Sequence, residues 1–181
     1  MRLIGLFIII ISLSAAIVGQ SPKRVEVPAI PVNPADVASI DSIVKAFYDV
    51  ISGPAGQPRQ WGRDKTLYIS GVRFVSMGER SGKISMSVSD HQQYVDNTNE
   101  SFVRSGFFEK EIHRIEKRFG NIAHVFSTYE FRSKPDGPVA GRGINSIELA
   151  FDGNRWWIAS AIWDDERPNN PIPAEFLPKN K

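Results

Sequence analysis

Two Gly-Asn pairs, Gly120-Asn121 and Gly153-Asn154, each stand between long runs of alternating side chains, and they constrain this chain more than any other feature. A two-residue turn of that chemistry joins antiparallel strands and sets their register. "FFEKEIHRIEKRFGNIAHVFSTYEFRS" and "GINSIELAFDGNRWWIASAIW" therefore read as two long hairpins, linked by the flexible "KPDGPVAGR".

Counting back from Gly153-Asn154 sets Phe151 against Trp156, Leu149 against Ile158, Ile147 against Ser160 and Asn145 against Ile162. Side chains alternate across a strand, so Phe151, Leu149, Ile147, Trp156, Ile158 and Ile162 share a core face. Asn145, Ser160 and Asp164 continue that face towards the strand ends. In the other hairpin the same count sets His113 against Thr128 and Glu111 against Glu130, all on the side of Ile115 and Phe126. The face with Ala123, Val125 and Ser127 reads as solvated. Opposed, Glu111 and Glu130 would repel each other, and Arg132 is the nearest relief.

Ahead of the hairpins the chain is helical. Asn33-Pro34 suits an N-cap followed by a first helical residue. "ADVASIDSIVKAFYDVI" then sets Val37, Ile40, Ile43, Val44, Phe47 and Ile51 on one helical face, and Gly53-Pro54 stops it. A helical turn is expected over 61–67, and two short strands joined at 79–82. A second helix is expected from Ser89, with Gln92 as a capping-box partner. Helices followed by a run of antiparallel hairpins make an α+β fold, with the helices on one face of a curved sheet.

The first 19 residues read as a secretory signal: Arg2, an apolar run from Leu3 to Leu13, then small residues. Cleavage after Gly19 and after Ala16 both leave a small residue at the junction. An uncleaved membrane anchor is the alternative, although the run is shorter than the roughly 20 residues a bilayer core requires. Residues 20–33, rich in proline, read as an extended linker, and 34–181 as one domain with a proline-rich tail. In that tail Ile172, Phe176 and Leu177 should lie on something apolar.

Past the signal, 21 basic residues face 20 acidic ones with no basic cluster, which argues against nucleic-acid binding. The absence of cysteine excludes disulfides and thiolate metal sites. His91, His113 and His124 show no metal-ligand spacing, so neither a metal nor a cofactor is expected. His113 and Asp164 are the candidate catalytic pair, a general base and the carboxylate that sets its tautomer. A paired strand residue and a partner of Arg167 are their plainer readings. Asn145, Ser160, Thr128 and Glu111 are candidate ligand contacts by their predicted facing. The rings of Trp156, Trp157 and Trp163 would suit a sugar, although core or subunit packing explains them more cheaply.

Together "AFYDVISGPAGQPRQW", "GFFEKEIHRIEKRFGNIAHVFSTYEFR" and "RGINSIELAFDGNRWWIASAIWDDERP" resemble the nuclear-transport-factor-2-like, or SnoaL-like, superfamily, in an exported bacterial branch. The resemblance covers about Asp36 to Pro178. It implies a cystatin-like cone of antiparallel sheet wrapped over helices, often dimeric through the sheet. Its enzymes use an Asp or a His–Asp pair in the cone, roles open to Asp164 and His113. Its isomerases add a tyrosine as oxyanion donor, for which Tyr48 and Tyr94 are the candidates. Other members only bind. The expectation is thus an exported homodimer, periplasmic or extracellular and free of the membrane once the signal is cleaved. It would bind a small apolar or amphipathic molecule, or act on it as a cofactor-independent isomerase, cyclase or dehydratase.

Overall fold

The computed structural model describes residues 24–179, so the signal segment and the last two residues lie outside it. Asn33 caps α1 (Pro34–Val37), its side chain accepting from the Ala35 amide. The expected single helix is two. Ser39 is extended at φ −145° and forms a capping box with Ser42, which starts α2 (Ile40–Asp49) afresh. The apolar stripe survives the break: Val37, Ile40, Ile43, Val44, Phe47 and Ile51 are all buried. A short α3 (Trp61–Lys65) follows, then the hairpin β1 (Tyr68–Arg80) and β2 (Lys83–Ser89). The next helix, α4 (His91–Ser105), begins one residue later than expected, because Asp90 and Gln93 form the capping box rather than Ser89 and Gln92. Strands β3 (Phe108–Phe119), β4 (Ile122–Arg132), β5 (Gly141–Phe151) and β6 (Trp156–Asp165) complete the chain with a 3-10 turn at Ala174–Phe176.

All six strands form one curved open sheet in the order β2-β1-β6-β5-β4-β3, antiparallel except for β1 beside β6. Helices α2 and α4 fill its hollow, and the core lies between them and the concave face. The architecture is the α+β cone expected. The linker is extended too, yet it is tied down where described: the Val25 amide donates to Asp96 Oδ1 at 2.7 Å, and Val25, Val27 and Val32 pack on the core.

Both Gly-Asn turns form with the expected first pairs, Phe119 with Ile122 and Phe151 with Trp156. Each register then slips by one. In β6 the pairs run Leu149–Ile158 and then Glu148–Ser160, leaving Ala159 as an extra residue. In β3 they run His113–Thr128 and then Glu111–Tyr129, leaving Ile112 extra. An extra residue bends a strand and turns every later side chain to the other face. Beyond Ala159, therefore, Ala161, Trp163 and Asp165 look into the hollow, while Ser160, Ile162 and Asp164 look out. Beyond Ile112, Glu111 and Glu109 turn inward, and Glu111 never meets Glu130. Glu130 instead pairs with Lys110 at 3.1 Å and with the expected Arg132 at 2.7 Å.

The facing of β4 is also the reverse of the expectation. Ala123, Val125 and Ser127 are buried under the helices. Phe126, His124 and Thr128 lie on the outer face, where the tail covers part of them. Phe176 packs edge-on to Phe126 at 5.4 Å, and the Thr128 hydroxyl donates to the Phe176 carbonyl at 2.6 Å. The apolar outer residues of β4 belong to this secondary contact, which mimics a core face in the sequence.

Candidate functional site

Where the cone opens, the concave face and the two long helices enclose a cavity of about 250 Å³. Helix α2 supplies Phe47, with Ile51 just past its end, and α4 supplies Tyr94, Thr98 and Phe102. Phe74, Tyr129, Phe131 and Trp163 come from the sheet and Phe107 from just before β3. Eight of the thirteen lining residues are aromatic, and the polar side chains besides the tyrosines are Thr98, Glu109, Asn145 and Asp165. Such a wall, apolar with a few convergent polar groups, is that of a small-molecule site, here just below the usual size range of ~300–1,000 Å³.

The two acids have different settings. The Glu109 backbone is clamped by Ser52, whose hydroxyl accepts from the Glu109 amide at 3.0 Å. Its side chain lines the pocket and is half-buried, and burial, then the charge of Asp165, push its carboxyl up to about 8. Asp165 stands at the exposed mouth and accepts from the Tyr129 hydroxyl at 2.5 Å. Gly143 makes that contact possible, since a Cβ there would lie 2.2 Å from the Tyr129 hydroxyl. Burial pushes the phenols of Tyr48, Tyr94 and Tyr129 up, so all three are neutral donors near neutral pH.

Behind the wall runs a chain of hydrogen bonds. Asn145 Nδ2 donates to the Tyr48 hydroxyl at 3.1 Å, and Tyr48 lies 2.6 Å from the Ser127 hydroxyl. Ser127 spends its one proton on Glu111 at 2.5 Å, so Tyr48 donates to Ser127. Arg114 then holds Glu111 at 2.8 Å and reaches Asp41 at 2.6 Å. These bonds fix the amide of Asn145 at the pocket wall.

Of the residues singled out in the sequence, Asn145 and Tyr94 line the cavity, and Tyr48 and Glu111 stand behind it in that chain. Trp156 is core, with Arg118 5.0 Å over its ring. Ser160 faces outward and bonds Glu148 at 3.3 Å. The candidate pair His113 and Asp164 is not a pair. His113, Thr128, Ile144 and Asp164 form one row across four strands of the outer face. Three strand spacings separate the two ends, roughly 14 Å. His113 Nε2 donates to the Glu175 carbonyl at 3.1 Å, and Asp164 accepts from Arg167 at 2.6 Å. Glu109, Asp165 and Tyr129 replace them in the hollow. The acids closing "WDDE" signalled a functional group, but the alternation pointed to the wrong member of the pair.

No family model matches the sequence, and no curated protein matches it. Solved structures do. A nuclear-transport-factor-2-like protein from Methylobacillus flagellatus KT superposes with a TM-score of 0.47 at 11% identity, over 71% of this chain and 95% of that one. One from Silicibacter pomeroyi DSS-3 gives 0.46 at 12%, over 71% and 94%. A protein with a cystatin-like fold from Nostoc punctiforme PCC 73102 gives 0.46 at 12%, over 61% and 79%. By its own topology the chain is an α+β fold, a curved six-stranded sheet over helices. At such scores and identities the likeness carries no argument about the site, which must be read from its own residues.

Proposed function

We propose that this chain is a binding or accessory domain that takes a small apolar or amphipathic molecule into the hollow of its sheet. The observation that carries the reading is the aromatic cavity of about 250 Å³ with Glu109, Asp165 and Asn145 in its wall. Apolar walls supply affinity and the few polar groups orient the guest. The chain is further proposed to act outside the cytoplasm, in the periplasm or beyond, as a homodimer and without nucleic-acid or membrane partners. Support for the dimer is the apolar outer stripe of β2, with Ile84 61%, Met86 66% and Val88 53% exposed, continued across Val75 of β1 to Ile162 of β6 at 41%.

Native mass spectrometry of protein purified from its own host tests these points together. Expected are a mass excess of one small molecule per chain, lost in a cavity-filling Thr98→Phe variant, a start after Ala16 or Gly19, and a two-chain assembly. A bare chain in every preparation sinks the binding reading, and a bare monomer the dimer.

One observation favours catalysis as a second reading. A carboxyl raised to about 8 beside the cavity, that of Glu109, is suited to take or give a proton near neutrality. This would keep the cofactor-independent isomerase, cyclase or dehydratase chemistry but move it from His113 and Asp164 to Glu109. Incubating the recovered ligand with the protein in deuterated water decides it: no carbon-bound deuterium and no conversion leave binding alone.

A further inference from the structure

The charges in the cavity wall are one-sided. Among the described residues two carboxyl groups line it, Glu109 and Asp165, and no Lys, Arg or His does. The Glu109 carboxyl has no hydrogen-bond partner among the described residues, although ion pairs relieve the acids of the outer face. Lys110, its neighbour in β3, reaches Glu130 instead. Asp165 receives only the neutral Tyr129 hydroxyl on Oδ1, which leaves Oδ2 unpartnered among the described residues. An anionic guest would meet repulsion here, and a neutral apolar one would leave an ionised Glu109 without a counter-charge, since Arg167 acts on Asp165 and not on Glu109.

A metal ion fits no better. Among the described residues no group of three or more His, Asp or Glu side chains is placed to hold one, and hard cations take six or more oxygen ligands. Aromatic rings around a carboxyl suit a different cation. Ring faces attract a positive charge spread over carbon-bearing groups, most strongly where water is excluded. Tyr94 and Trp163 stand edge-to-face at 6.0 Å and Phe102 stacks on Phe107 at 4.1 Å, so the walls are pre-organised.

We infer that the guest is a small organic cation, an alkyl- or arylammonium ion, whose apolar groups lie on the rings while its charge faces Glu109 and Asp165. The inference rests on the binding reading above and names its ligand class. It has a titration signature. The groups facing Glu109 are Asp165 on β6 and the phenols of Tyr48 on α2, Tyr94 on α4 and Tyr129 on β4, and burial keeps the phenols neutral well into alkali. Between pH 7 and 9 the proton that a cation must displace is therefore that of Glu109.

Calorimetric titration with choline and with its uncharged isostere 3,3-dimethylbutan-1-ol tests the inference. Choline itself does not titrate in this range. Expected is choline binding at least ~10-fold tighter than the isostere at pH 9, from the added cation–π and charge attraction. Its affinity should rise about tenfold from pH 7 to 9, as a carboxyl with a pKa of about 8 goes from about one-tenth to nine-tenths ionised. Glu109→Gln should bind choline weakly and flatly across that range. Asp165→Asn, at the exposed mouth, should weaken binding and keep the slope. Equal binding of the isostere, or an unchanged slope in Glu109→Gln, overturns the cation and leaves the pocket standing. Binding of neither probe overturns it as well, and the mass excess from the native host then judges the pocket by itself.

Discussion

Arg59→Ala is expected to destabilise the protein by about 3–5 kcal/mol, the upper end of single-substitution effects. Arg59 is only 5% exposed. Among the described residues it has no carboxylate partner; its two Nη groups donate to carbonyls, while Nε has no partner. It donates to Gly53 and Gln57, both at 2.8 Å, and to Phe102 at 2.5 Å. The Phe102 carbonyl lies in the last turn of α4, where the helix supplies no donor of its own. Burial without an acid lowers the Arg59 pKa, yet a guanidinium stays charged and can serve three acceptors from one plane. Truncation leaves the Phe102 carbonyl without its donor and Gly53 with only the Phe107 amide at 3.0 Å. The same bonds hold Phe102 and the Gly53–Phe107 bridge, so the pocket wall should loosen as well. Chemical denaturation reads the loss, and at ~2–4 °C per kcal/mol in a domain of this size the melting temperature should fall by about 10 °C. Arg59→Lys should recover less than half, because one ammonium cannot span the three carbonyls. A loss under about 1 kcal/mol would mean that water replaces the guanidinium, and that this corner is open.

Glu109→Gln should raise stability above neutral pH while leaving it unchanged in acid. The folded carboxyl sits at about 8 against an ordinary 4.5. Below 4.5 both folded and unfolded chains hold the proton, so the residue contributes no pH dependence there. Between 4.5 and 8 the unfolded chain gives it up while the folded chain keeps it, and wild-type stability falls as pH rises. Above 8 the loss is complete. At 1.36 kcal/mol per pKa unit, discounted for water entering by the pocket mouth, the difference from the Gln variant is on the order of 3 kcal/mol. Denaturation midpoints at pH 5, 7 and 9 for both proteins check this. Parallel curves would show an ordinary, solvated Glu109, and with it the chemistry proposed for the site would go.

Much of the fold was legible because its signals are local. The Gly-Asn turns, the Asn33 cap and the stripe from Val37 to Ile51 depend on nearest neighbours and helical spacing, and each stands where the pattern put it. The inward facing of a residue on an undisturbed strand was also legible. Asn145 lies on the bulge-free strand of its hairpin, whereas Tyr94 of α4 was singled out only through the resemblance. Beyond the β6 bulge Asp165 was not legible; in β3 the reversed facing and the bulge cancel, so Glu111 turns inward as expected while His113 does not.

By itself the sequence determined the elements, their order, the hairpin partners at each turn and an acid-ended strand at the mouth of a cone. Tertiary structure decided which acids enter. Ala159 and Ile112 carry no mark in the sequence as extra residues, because a bulge forms where the whole sheet must curve around α2 and α4. Since side chains alternate with a period of two, each bulge exchanged inside for outside along the rest of its strand. Asp165 thereby replaced Asp164, and Glu109 came to face the hollow that His113 does not.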